Sequence, residues 1–117
     1  MSLTEEFANR MLDNVFQRSW AALHTGDPGP VGTNELQGGQ YARQPFGAGR
    51  AFQGRSANRE MLDFLLLPVA TITHLAVWDA PDGGKLIFTE QAESRRIAQG
   101  DSYRIDIGEL SISLRIP

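Results

Sequence analysis

His24 and His74 are the only histidines, and with no cysteine in the chain they are its only nitrogen or sulfur candidates for a metal ligand. Neither has a second histidine at ligand spacing, and each sits in a β-prone segment. Both are therefore read as hydrogen-bonded strand residues. Asp79 and Asp82 carry oxygens suited to a hard cation, but the run DAPDGG is a turn sequence first. GAGRAFQG at 47–54 has the glycines of a phosphate-binding loop. It lacks the Gly-Lys-Ser/Thr ending and a following helix to present N–H groups to an anion, so a flexible connection is expected there. No serine-hydrolase signature is present, and no pair among the fourteen acids stands apart as an acid and base. The sequence predicts no catalytic residue, no metal site and no cofactor, and the chain is not expected to be an enzyme.

The remaining chemistry is that of contact. Residues 41–59 hold Arg43, Arg50, Arg55 and Arg59 and no acid, whereas the whole chain has one lysine, Lys85. Guanidinium is planar and weakly hydrated, which suits interfacial pairing. Tyr41, Arg43, Phe46, Arg50, Arg55 and Arg59 are accordingly the candidate interface residues. An internal role for two of them stays open, with Tyr41 filling the core and Arg43 pairing with an acid such as Glu35. Trp20 and Trp78 lie in apolar segments and read as core before contact.

These residues have to be held by short elements. Residues 3–18 predict an amphipathic helix with Leu3, Phe7, Ala8, Met11, Leu12, Val15 and Phe16 on one stripe, a Ser2–Glu5 capping box, and Arg18 in the last turn. Strands are expected at 20–25, 41–46, 61–67, 71–79, 85–90, 94–98, 103–107 and 110–116, the last alternating Leu110, Ile112, Leu114 and Ile116 against polar residues. APDGG at 80–84 marks a hairpin. Many short strands with no second helix for parallel crossovers predict a mainly β fold: an antiparallel, jelly-roll-like β-sandwich over residues 20–117 behind one N-terminal helix. At 117 residues the chain is expected to be a single domain.

A formal charge of −3 argues against nucleic acid as partner. No apolar run approaches membrane-spanning length, and the acidic start is unlike a signal peptide, so a soluble protein made in the cytoplasm of its host is expected, with no membrane partner.

Two segments, Leu23-His24-Thr25-Gly26-Asp27-Pro28 and Glu35-Leu36-Gln37-Gly38-Gly39-Gln40-Tyr41-Ala42-Arg43-Gln44, resemble the hallmark of a family of small tailed-bacteriophage virion proteins often labelled tail fibre proteins. THLAVWDAPDGGKLIF at 73–88 and AQGDSYRIDIGELSISL at 98–114 are similar to the family's later strands, while REMLDFLLLP at 59–68 departs from its pattern. The resemblance implies a structural role in the virion without catalysis. Since no repetitive or coiled-coil shaft is present, a compact module is expected. Its first reading is a capsid decoration or minor capsid protein bound to the major capsid protein or another virion protein, as a homo-oligomer such as a trimer. The alternative is a receptor-binding module of the tail tip or fibre, engaging host glycan through exposed Tyr41 or Trp78.

Overall fold

Thr4 opens the helix in the computed structural model of the chain, which describes residues 4–114. Its Oγ1 accepts from the Phe7 N–H at 3.3 Å, and Glu5 and Glu6 occupy the first turn, where the helix dipole favours acids. Thr4 therefore caps α1 (Glu5–Val15) in place of the expected Ser2; Ser2 and Leu3 lie outside the described residues. The helix stops three residues short of the expected 18 and has no basic residue in its last turn, so Arg18 follows the helix. The cause is packing. Phe16 turns inward against Phe46 and Phe88, with ring centroids 5.3 and 5.6 Å away, and the Ser19 hydroxyl donates back to the Phe16 carbonyl at 3.2 Å.

The strands are β1 (Trp20–His24), β2 (Gln44–Pro45), β3 (Arg55–Ala57), β4 (Leu62–Phe64), β5 (Ala70–Trp78), β6 (Leu86–Ile97), β7 (Tyr103–Ile105) and β8 (Ser111–Ser113). Their pairing is antiparallel throughout: a four-stranded sheet in the order β2-β1-β5-β6, and two ladders, β3-β8 and β4-β7. One buried cluster joins Leu12 of α1 and Phe16 just after it to Leu23, Ile72, Leu75 and Val77 of the large sheet and to Leu62, Phe64, Tyr103 and Ile105 of the β4-β7 ladder. The fold is the expected antiparallel sandwich with one helix.

Several boundaries differ from the sequence expectation. The strands foreseen at 85–90 and 94–98 are one continuous β6, whose pairing with β5 absorbs irregularities between Ile72 and His74 and between Val77 and Trp78. The strand foreseen at 61–67 ends at Phe64, because Leu66 takes a left-handed φ of 53° and its carbonyl accepts from the Gln40 N–H. At 41–46 only Gln44–Pro45 pairs, and β3 forms directly after the glycine-rich loop at 47–54, where no strand was foreseen. Of the strand foreseen at 110–116, β8 keeps three residues, and positions 115 and 116 lie outside the described residues.

The long connection between β1 and β2 is folded on itself. Thr25 N–H donates to Asn34 O, Leu36 N–H to Leu23 O, and Gly29 N–H to the Asp27 carboxylate. Two glycines in it are sterically required. A Cβ at Gly32, φ 82°, would run into the Trp78 ring, and one at Gly39, φ 56°, would meet the Leu66 carbonyl at 2.8 Å.

Candidate functional site

Residues 23–44 build an internal knot. β1 places His24 against β5, the turn at 27–34 brings Glu35 back beside His24, and Tyr41 and Arg43 close over both. Arg43 donates through Nε and Nη2 to the two Glu35 oxygens at 2.9 and 2.8 Å, and through Nη1 to the Ala80 and Gly83 carbonyls at 2.9 and 2.8 Å. Its guanidinium also lies 4.1 Å from the centroid of the Trp78 ring. The Tyr41 hydroxyl donates to Glu35 at 2.6 Å and accepts from the Leu23 N–H at 3.1 Å. The Arg43 and Glu35 side chains are only 6% and 20% exposed.

The titration of the knot follows from these contacts. Burial pushes the Glu35 carboxyl up, but hydrogen bonds from Arg43 and Tyr41 outweigh it and hold Glu35 below its ordinary value. Burial, reinforced by the Glu35 carboxylate, pushes the Tyr41 phenol up. His24 is fully buried, and burial holds its imidazole below 6.5. Because the Thr33 carbonyl 2.9 Å away can only accept, His24 Nδ1 carries the proton. This group is arranged for rigidity. Every charged atom in it faces another atom of the same chain.

The sequence-derived contact set therefore divides. Phe46 has no exposed surface, and Arg43 is spent on Glu35 and the hairpin turn, so neither offers a partner a free face. Tyr41 is half-buried and stacks on Phe64 at 6.0 Å. Trp78 is buried beneath Arg43, which removes it as an exposed platform for sugar. The close backbone approach at the glycines before Tyr41 is made to residues 66–68 of the same chain.

Arg50, Arg55 and Arg59 are exposed. Arg55 reaches Ser111 Oγ at 3.3 Å across the β3-β8 ladder. Arg50 and Arg59 instead border a cleft of about 730 Å³ between the end of α1 and the glycine-rich loop, where they are joined by Arg18 and by the half-buried Trp20. Arg18 was placed by the sequence only as a helix-terminal charge. Its approach to Arg50 and Arg59 needs the turn at 16–19 and had no local signal. A second feature the sequence missed is Asn58, 2% exposed. Its side chain donates to the Glu60 and Asp106 carbonyls and accepts from the Leu110 N–H, tying β3 to the turn before β8.

The helix presents the other surface. Asn9 and Asp13, on its polar flank, accept from the Gly54 and Ala51 N–H groups at 2.8 and 2.7 Å and fix the glycine-rich loop to it. Ala8, Leu12 and Phe16 point into the core. The helix is thus rotated toward its polar flank, and Phe7, Met11 and Val15, one turn apart, remain 56%, 49% and 47% exposed. His24 and His74 face each other across β1 and β5, and His74 meets the Thr73 hydroxyl at 2.8 Å. Asp79 closes the hairpin by accepting from the Lys85 N–H. Among the described residues no three of His, Cys, Asp and Glu gather as metal ligands would.

In comparison with known proteins, no curated protein matches the chain. A family model described as Podophage GP4 fiber I protein gp80 matches residues 3–113, which takes in α1, all eight strands, the Glu35–Tyr41–Arg43 knot and the arginine-lined cleft. The chain belongs to that family, the phage fibre proteins described as Podophage GP4 fiber I protein gp80.

Proposed function

We propose that the chain is a non-catalytic building module of a phage fibre, held to a neighbouring virion protein by the exposed ridge of its N-terminal helix. The observation that carries this reading is the rotation of α1. A helix serving only its own core would turn its whole apolar stripe inward, yet here only Ala8 and Leu12 do so, Asn9 and Asp13 hold the loop at 51–54 beside them, and Phe7, Met11 and Val15 face out. A row of large apolar side chains left in water fits a surface that another protein covers. The rigid knot of Glu35, Tyr41 and Arg43 suits a part that carries load without moving.

Membership in a fibre family favours this reading over capsid decoration through the major capsid protein. Cross-linking mass spectrometry on purified particles tests it, combined with counting of copies. Cross-links from residues near α1 to tail or fibre proteins, at a few copies per particle, are the expected result. Hundreds of copies in a regular array on the head, cross-linked to the major capsid protein, would replace it with the decoration reading.

A further inference from the structure

We infer that the cleft between α1 and the glycine-rich loop is a binding site for an acidic saccharide, with the arginines taking the oxyanion and Trp20 taking the sugar face. Arg18, Arg50 and Arg59 border it against a single acid, Asp13, and none of the three arginines forms an ion pair among the described residues. Asp13 is itself occupied, accepting the Ala51 N–H at 2.7 Å. Three guanidiniums without partners, in a chain of net charge −3, make a local positive well in a negative surface. Such a well concentrates anions, and the planar forks fit a carboxylate or a phosphate.

The cleft has room for a ligand of that kind. Its volume of about 730 Å³ lies within the roughly 300–1,000 Å³ of small-molecule sites. Gly47 and Gly49 on its wall carry no side chain to fill it. Trp20 is the one aromatic residue on the cleft that keeps part of its surface exposed, Phe16 being buried. An indole offers a flat apolar face on which a sugar ring can lie while its charged group reaches the arginines. This inference goes beyond the structural role, because it concerns a ligand taken by the free chain.

Isothermal titration of the purified chain tests it with four probes: trigalacturonate, neutral maltotriose, inorganic phosphate and hexaglutamate. Trigalacturonate is expected to bind with Kd of about 0.1–1 mM and maltotriose not at all. The double variant Arg50→Gln/Arg59→Gln should weaken binding at least about tenfold, as loss of charge-assisted hydrogen bonds does. Both arginines are exposed, and an unchanged thermal midpoint will verify the fold. In the unmodified chain, the Trp20 indole N–H resonance should shift on titration with trigalacturonate. The inference is overturned if trigalacturonate fails to bind, if maltotriose binds equally, or if the variant binds as before. It is also overturned if phosphate binds as well without moving the Trp20 resonance, which would make this a bare anion site, or if hexaglutamate binds more tightly, which would make it a protein contact. None of these results bears on where the chain sits in the particle.

Discussion

Arg43 illustrates how far a single side chain can set the shape of this protein. It ties Glu35, the 80–83 turn and the Trp78 ring to one point, and its partner Glu35 has Tyr41 as a second donor. Removing one member of a largely buried pair strands the other, so Arg43→Met should lower stability by about 3 kcal/mol. Tyr41→Phe should cost about 1–2 kcal/mol, because the Leu23 N–H and one Glu35 oxygen lose a partner. Urea denaturation will measure both, and the double variant should cost less than the two single losses added, since both converge on Glu35. His24 sets a pH dependence beside them. Its folded-state pKa lies below its unfolded value of about 6.5, so between the two the unfolded chain binds the extra proton and stability falls as pH drops below 6.5. Glu35, held low, contributes stability above its unfolded value of 4.5, and that contribution is lost as pH falls through its folded pKa. His24→Asn, which keeps a donor for the Thr33 carbonyl, should flatten the decline between pH 6.5 and 5 and leave the more acidic part in place. Urea midpoints at pH 7.5 and 5.5 check this, and an unchanged slope would assign the decline elsewhere.

At the scale of elements, β6 is an edge strand of twelve residues, long enough to invite pairing with another chain. Three features restrain it. Its ladder with β5 is irregular, Glu90 stands opposite buried Leu75 so that it faces inward and is half-buried, and Arg95, opposite buried Ile72, leans over the Tyr103 ring at 5.5 Å. Burial, with Glu109 nearby, pushes the Glu90 carboxyl up, a sign of an acid on the inner side of the sheet. Replacing both charges, as Glu90→Val/Arg95→Val, should raise concentration-dependent association in sedimentation velocity, with little loss of fold. The sequence shows β6 only in pieces, because Gln91, Ala92 and Glu93 interrupt the pattern between the two foreseen strands, and Glu90 and Arg95, which guard the edge, flank that interruption. The helix, the β5-β6 hairpin and the antiparallel pairing were legible, since they rest on local periodicity and turn chemistry. β3 was not, because it exists only through its partner β8, and the end of α1 at Phe16 is set by a phenylalanine cluster drawn from three distant parts of the chain. The Glu35–Arg43 pairing was visible as one of two alternatives, whereas the meeting of Arg18 with Arg50 and Arg59 depends on a turn that carries no sequence signal.

For the whole molecule, the question is why an ordinary core leaves so much apolar helix uncovered. Phe7, Met11 and Val15 lie on the side of α1 away from Asn9 and Asp13, which the loop at 51–54 already occupies. The molecule, 47 Å long and about 25 Å across its shorter axes (26 × 24 Å), thus has a braced sandwich at its centre and an unsatisfied ridge on its helix. Stability and assembly should separate at that ridge. Exposed residues contribute little to folding, so Phe7→Ser and Met11→Ser should each move the unfolding free energy by no more than about 0.5 kcal/mol. A covered interface responds differently, because large apolar anchors at its centre each account for about 2 kcal/mol or more of binding. The same two variants together should therefore sharply reduce incorporation into particles when supplied by complementation. A core variant such as Leu12→Ala should instead reduce incorporation only in step with the amount of folded protein, at a cost of about 2–5 kcal/mol. Quantifying the chain in purified particles against the folded pool tells these apart. Normal incorporation of Phe7→Ser/Met11→Ser would show that the ridge meets no partner, and attachment would then have to come from another face.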